Sequence, residues 1–346
     1  MYEHGGPDVH IPKIHRVRVE KFRRIQEPLE LDLTSPKGVP SRNVVLAGPN
    51  GCGKTSVLEA VLLGLGQERL IVRDLEKAHR AQHWRTELPE GARVELDVTI
   101  DDGPLMTWIR TREAHVTRAP ASGIELPVNP AWLQHLAVAY FSSWRTPDLV
   151  GPVKPLVGRG GRPQDTETNR IWRLKQRIDD ERARGGYAPT LPGFGKADLW
   201  LERINEAWTR FHGDDGTRID AQIVAPDDEE LLADLYVLRG ETRLCSVDEL
   251  SSGEIELLSF AGWIILNGFE AGLLVIDEPE LHLHAAWQAA IFPALRALAP
   301  NVQIIAASHS DAVWDQAYSF ERFLLVFEGD PRSATFRASK AAGSSA

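Results

Sequence analysis

The chain has 346 residues, 43% of them hydrophobic and 25% charged, the balance of a globular protein with length for one large domain or two ordinary ones. A net charge of -10 excludes a generally basic nucleic-acid coat, though not a local basic groove. Two cysteines, Cys52 and Cys245, exclude a disulfide framework and a metal-spaced cysteine cluster and fit a reducing cytoplasm; residues 1–10 form no apolar leader, and no apolar run reaches the ~20 residues of a membrane helix.

In chain order, residues 14–19 read as a short strand, and Leu29, Leu31 and Leu33 alternate as a second. Residues 43–47 are an apolar run ending at Gly48, suited to a buried strand. Beyond Lys54, the residues Val57, Leu58, Val61, Leu62 and Leu65 recur at helical spacing. Val94, Leu96, Val98 and Ile100 alternate, Asp101-Asp102-Gly103 turns the chain, and Met106 and Trp108 alternate again, predicting a hairpin. Residues 136–141 predict another strand. The texture then changes. Glycine and proline cluster at 151–163 and 185–195, on either side of a charged stretch, 166–184, with a narrow apolar stripe of Ile171, Leu174 and Ile178. Leu201, Ile204, Trp208 and Phe211 mark an amphipathic helix. Ile219, Ala221 and Ile223 alternate as a strand, and 231–244 supplies more strand. Residues 254–269 predict an apolar helix, 272–276 and 302–306 buried strands, 285–298 the helix between them, 323–327 the last strand and 329–346 a frayed tail. The reading divides the chain into an N-terminal part (1–143), an inserted helical lobe (144–213), a C-terminal part (214–328) and the tail (329–346).

Gly48-Pro49-Asn50-Gly51-Cys52-Gly53-Lys54-Thr55 stands between a predicted strand and a predicted helix, the context of a phosphate-binding loop. Glycines let backbone N–H groups converge on phosphate, and the helix N-terminus adds its dipole. Lys54 offers a point charge to the β- and γ-phosphates, Thr55 a hydroxyl to Mg²⁺, and Ser56 a hydroxyl to the α-phosphate. Cys52 reads as loop filler rather than a nucleophile. Residues 273–276 form an apolar strand ending in Asp277-Glu278. Phosphoryl transfer needs a metal holder and a group that orients or deprotonates water; Asp277 and Glu278 are the candidates. His309 follows the second buried strand, where a neutral imidazole meets the γ-phosphate or the attacking water. His282 and His284 are two apart with no third ligand and read as a contact loop rather than a metal site. Ser251-Ser252-Gly253 precedes the apolar helix that starts near Glu254 and reads, on bare physics, as a helix N-cap with an anion-binding start.

Taken in this order, the motifs resemble an ABC-class ATPase head: Walker A at 48–55, signature at 250–254, Walker B at 273–278 and a switch histidine at His309. The resemblance implies an α/β fold with a P-loop mixed and parallel sheet, an antiparallel β-subdomain and an inserted helical lobe. It implies ATP and Mg²⁺ as ligands, hydrolysis of ATP, and a homodimer in which Ser251 and Gly253 act in trans on the partner's nucleotide. Asp277-Glu278-Pro279-Glu280-Leu281-His282-Leu283-His284 and the opening Val19-Glu20-Lys21-Phe22-Arg23-Arg24-Ile25 look like the OLD/RecF/SMC-like branch, in which an arginine near this phenylalanine, Arg23 or Arg24, helps hold nucleotide. One departure is that the strand ending Phe141-Ser142-Ser143-Trp144 carries no Q-loop glutamine; Ser142 or Ser143 stands there instead. Another is that no Toprim nuclease follows residue 328, which leads to the expectation that any nuclease is a separate chain.

Between Arg145 and Arg184 there are ten Lys/Arg against six Asp/Glu, with Arg170, Arg173, Lys175 and Arg177 close together on the predicted helix. A phosphate-tracking surface and a solvated helix face compete for this stretch. Residues 227–256 are strongly acidic. The resulting expectation is a cytoplasmic, dimeric ATPase that gates a separate nuclease or toxin, similar to the ATPase subunits of Septu and retron phage-defence modules. The alternatives are a RecF- or SMC-like DNA-repair ATPase, a transporter's nucleotide-binding subunit and a non-hydrolysing ATP sensor.

Overall fold

The structure, a computed structural model, describes residues 9–77, 86–120, 122–145, 151–153, 170–187, 196–224 and 232–326. The expected tail, most of both loop stretches and residues 166–169 lie outside the described residues. In chain order come β1 (Pro12–Glu20), β2 (Leu29–Asp32), β3 (Asn43–Ala47), α1 (Lys54–Gly64), α2 (Glu68–Lys77), β4 (Arg93–Ile100), β5 (Met106–Arg110), β6 (His115–Arg118), β7 (Glu125–Pro127), α3 (Pro130–Leu133) and β8 (Val138–Phe141). Then follow α4 (Arg170–Tyr187), α5 (Lys196–His212), β9 (Thr217–Val224), β10 (Leu232–Arg239), β11 (Thr242–Ser246) and α6 (Ser252–Leu266). The chain ends with β12 (Ala271–Asp277), α7 (Ala285–Gln288), α8 (Ile291–Leu298), β13 (Asn301–Ala307), α9 (Asp311–Trp314) and β14 (Arg322–Leu324).

Two compact units result: Met1–Arg145 with Ala271–Glu280 and Asn301–Ala346, and Thr146–Glu270 with Leu281–Pro300. The second takes in more of the chain than the 144–213 lobe.

In the first unit an antiparallel sheet of order β2-β1-β4-β5-β6-β7 and a parallel sheet of order β14-β3-β13-β12-β8 share one core. Alternation explains β1: Ile14, Val17 and Val19 point inward, while Arg16 and Arg18 pair with Glu30, Glu95 and Asp97 on the neighbouring strands. The inward residues change parity between Ile14 and Val17 because a bulge falls between Ile14 and Arg16. Helix α1 packs on strands of both sheets, and Val57, Leu58, Val61, Leu62 and Leu63 are fully buried. Each such side chain contributes roughly 1.5–3 kcal/mol of burial. That accounts for a helix apolar on nearly every face.

Strands β3, β12 and β13 are buried on both faces, as their continuous apolar runs require. Their parallel register, with Asp277 beside Ala307 and Ala307 beside Leu46, brings their carboxyl ends to one edge of the sheet. The segments that follow β3, β8, β12 and β13 all leave from that edge. This is where open α/β sheets bind ligands.

In the second unit α4, α5 and α6 pack on one another, and the antiparallel sheet β11-β10-β9 lies against α4 and α5. Lys175 of α4 is buried here. Its ammonium donates to Asp248 and pairs with Asp234, both at 2.6 Å, and donates to the Gly151 carbonyl at 3.1 Å. The helix expected over 285–298 is two pieces, α7 and α8. Pro293 has no N–H to give the Ala289 carbonyl, so the helix cannot run through.

Candidate functional site

The loop after β3 starts at Gly48, which has φ 144°. A Cβ there would stand 2.0 Å from the Leu325 carbonyl oxygen, so the chain passes too closely for any other residue. Gly51 (φ 78°) and Gly53 (φ 104°) also lie in the left-handed half of backbone space, where glycine alone is unstrained. Helix α1 begins on Gly53 with no side-chain cap and no acidic residue in its first turn. Its first N–H groups are thereby presented to an anion. Lys54 is folded back over the loop, its ammonium donating to the Gly48 carbonyl at 2.8 Å and the Pro49 carbonyl at 3.1 Å. Pro49 and Asn50 complete the turn, Cys52 is half-buried beside Gly48, and Ser56 is buried in the first turn of α1. Arg24 is exposed next to the loop, its Cβ 3.8 Å from where a Cβ on Gly53 would stand. Arg23 pairs with Glu59 of α1.

Asp277, at the end of β12, is 2% exposed. Its Oδ2 accepts from the Thr55 hydroxyl at 2.9 Å and the Ser143 hydroxyl at 3.2 Å. Burial pushes its carboxyl up to about 6, against the opposing pull of the Thr55 hydrogen bond. An all-oxygen pair on one spot, with a buried carboxylate that a cation would relieve, fits a magnesium ion shared with phosphate oxygens.

Glu278 adopts φ 53°, a left-handed conformation rare for a side chain of its size. This turns its carboxylate away from Asp277. The carboxylate is 36% exposed and stands 3.9 Å from Nε2 of His309. Two residues outside the predicted set hold this edge together. Arg145, 3% exposed, donates to the carbonyl oxygens of Ser142 (2.8 Å), Asp277 (2.6 Å) and Glu278 (2.7 Å). Glu280 accepts from the Ser308 hydroxyl at 2.8 Å and the His309 N–H at 2.6 Å, linking the segment after β12 to the one after β13. Arg145 stood in sequence only as the first member of a basic stretch. Its signal, an arginine just past a buried strand, is recognisable only once β8 and β12 are known to be neighbours.

Ser251, Ser252, Gly253 and Glu254 belong to the second unit, at the start of α6. Ser251 is the N-cap of a reciprocal capping box: its hydroxyl accepts from the Glu254 N–H, and Oε2 of Glu254 accepts from the Ser251 N–H at 2.8 Å and the Ser251 hydroxyl at 2.6 Å. A Cβ on Gly253 would stand 2.7 Å from the His282 carbonyl oxygen, so glycine is needed for packing there. The His284 ring packs on Trp287 with centroids 4.5 Å apart, and neither His282 nor His284 joins a metal-holding cluster among the described residues. No helix among the described residues is long and apolar enough to cross a membrane.

Residues 78–315 match the family model described as "AAA domain, putative AbiEii toxin, Type IV TA system", and residues 16–118 match a second AAA domain model. Among curated proteins, the chain is 32% identical over 112 residues to the Retron Vc95 probable ATPase of Vibrio cholerae, covering 29% of this chain and 21% of that one. It is 45% identical over 69 residues to the Septu protein PtuA of Bacillus thuringiensis (20% and 17% of the two chains) and 36% identical over 91 residues to the Retron Ec83 probable ATPase of Escherichia coli (23% and 17%). The matched stretches thus span about a fifth of those relatives' lengths. Among solved structures, an Smc head bound to the C-terminal winged-helix domain of ScpA aligns with TM-score 0.53 and 14% identity over 88% of this chain and 92% of that one. An Smc head with extended coiled coil, bound to ScpA derived from Pyrococcus furiosus, aligns with TM-score 0.51 and 13% identity over 89% and 92%. The fold is therefore that of an SMC-type ATPase head, and with its family model covering well over half of its residues this chain belongs to the AAA domain family.

Proposed function

We propose that this protein is an ATP hydrolase whose two copies close around ATP and thereby control a separate effector. The observation that carries the hydrolytic part is the convergence, within one unit, of Lys54, Thr55, Asp277, Glu278 and His309 at the carboxyl edge of one parallel sheet. In this reading the N–H groups of the loop and Lys54 hold the phosphates. Thr55 and Asp277 would hold magnesium, which when bound supplies charge neutralisation to the phosphate oxygens. Glu278 accepts a proton from the attacking water, and His309, with Nε2 facing the Glu278 carboxylate, orients that water or the γ-phosphate.

Closure in trans rests on exposed Ser251 and on Gly253, buried beside it, at the start of α6, the second motif of the resemblance. Control of a nuclease or toxin rests on the similarity to a Septu protein and to retron ATPases. Direct tracking of nucleic acid by α4 is disfavoured, because Lys175, central to its basic run, lies buried between Asp234 and Asp248.

Size-exclusion chromatography of Glu278→Gln protein with and without ATP tests the reading. A dimer that appears only with ATP is expected, together with its loss in Lys54→Ala and Ser251→Arg protein. An unchanged monomer peak in every condition contradicts closure, and undiminished phosphate release by Glu278→Gln contradicts the role of Glu278.

A further inference from the structure

The Glu278 backbone is held on both sides of its left-handed conformation. Its N–H donates to the Ala307 carbonyl at 2.8 Å, from the neighbouring strand β13. Its carbonyl, and that of Asp277 before it, accept from the Arg145 guanidinium. A residue at φ 53° is strained and persists only where its surroundings over-determine it. Here the over-determination comes from one buried, planar fork, because a guanidinium delivers two fixed donors to adjacent carbonyls where an ammonium delivers a point charge. The same nitrogen that reaches Asp277 also donates to the Ser142 carbonyl, so the fork ties the end of β8 to the end of β12. The two carboxylates that follow one another in sequence then face different tasks, Asp277 towards Thr55 and Glu278 towards His309. At 3.9 Å the Glu278–His309 pair is too far apart for a hydrogen bond, so their spacing is set by the backbone rather than by each other.

We propose that Arg145 is a positioning residue for hydrolysis: it holds the Asp277-Glu278 peptide so that the Glu278 carboxylate faces the attacking water. This rests on the hydrolytic reading above. The test compares Arg145→Ala and Arg145→Lys with native and Glu278→Gln protein, measuring phosphate release, equilibrium binding of a fluorescent ATP analogue and thermal melting. A misplacement of about 1 Å costs about 100-fold, so kcat should fall by about that factor in Arg145→Ala while ATP affinity holds within a few-fold. Added guanidinium ion should restore part of that rate and ammonium should not. Arg145→Lys keeps the charge without the fork and should remain impaired. Arg145→Ala should add no further loss in the Glu278→Gln background. The inference is overturned by near-native kcat in either variant, or by turnover, ATP affinity and melting temperature falling together without rescue. Turnover that survives Lys54→Ala or Glu278→Gln strikes instead at the hydrolytic reading itself, and so separates the two failures.

Discussion

Helix α1 begins on a left-handed glycine with no side-chain cap and no carboxylate in its first turn, whereas α6 begins on Ser251 with its own Glu254 closing a reciprocal capping box. Around the first, Asp277 is buried, Glu278 is strained and Arg145 is fully engaged. Around the second, Ser251 and Ser252 are exposed and the Ser251 backbone is extended. A helix start that forgoes its cap leaves donors for an anion. One that is already capped has engaged the Ser251 and Glu254 N–H groups, and a phosphate arriving there meets the Glu254 carboxylate. In the proposed reading the first end holds the phosphates in place and the second is met from outside.

The sharpest way to break this contrast is at Glu278. A general base contributes on the order of 10²–10⁴ in rate, so Glu278→Gln should lower phosphate release about 1,000-fold while ATP binding persists. The next largest effect falls on the second unit. Lys175→Met leaves Asp234 and Asp248 buried without their cation, and chemical denaturation should show a loss of about 3 kcal/mol. An unchanged midpoint would mean that the start of α6 does not depend on this cluster.

Asp277→Asn should act in the opposite direction. The carboxyl ordinarily titrates near 3.8 and is raised to about 6 by burial, so its contribution favours the folded protein below about pH 4 and is lost as pH rises through about 6. Nucleotide-free, metal-free Asp277→Asn should therefore be more stable than the native protein above pH 6, by about 3 kcal/mol, and the difference should shrink towards pH 4. It should also fail to hydrolyse ATP. A native protein equally stable at pH 5 and pH 7.5 would argue against a site under strain from its own carboxylate. The smallest effect is expected at the cap. Ser251→Ala should cost about 1 kcal/mol by denaturation, since the cap is local and exposed. A far larger loss would mean that α6 relies on this contact as heavily as α1 relies on tertiary packing.

Sequence alone determined the features governed by short-range rules. Strand β3 was legible to the residue because an unbroken apolar run is the signature of a strand buried on both faces, and the glycine spacing before Lys54 is dictated by backbone φ. The N-cap at Ser251 is likewise legible in the residues just ahead of the apolar helix, whereas the reciprocal hold of Glu254 on Ser251 came from the structure. Strand β6 and the edge strand β7 beside it are not legible in the sequence. Their half-buried or exposed side chains carry no clear period, since an edge strand draws its order from the sheet it joins. Tertiary structure alone decided the rest. Whether Lys175 faces phosphate or carboxylate depends on a strand and a helical turn more than fifty residues away. Arg145 gained its three carbonyls, and Glu280 its grip on the His309 N–H, only when parallel pairing set the ends of β8, β12 and β13 side by side; such pairing is non-local, and no window of sequence contains both partners.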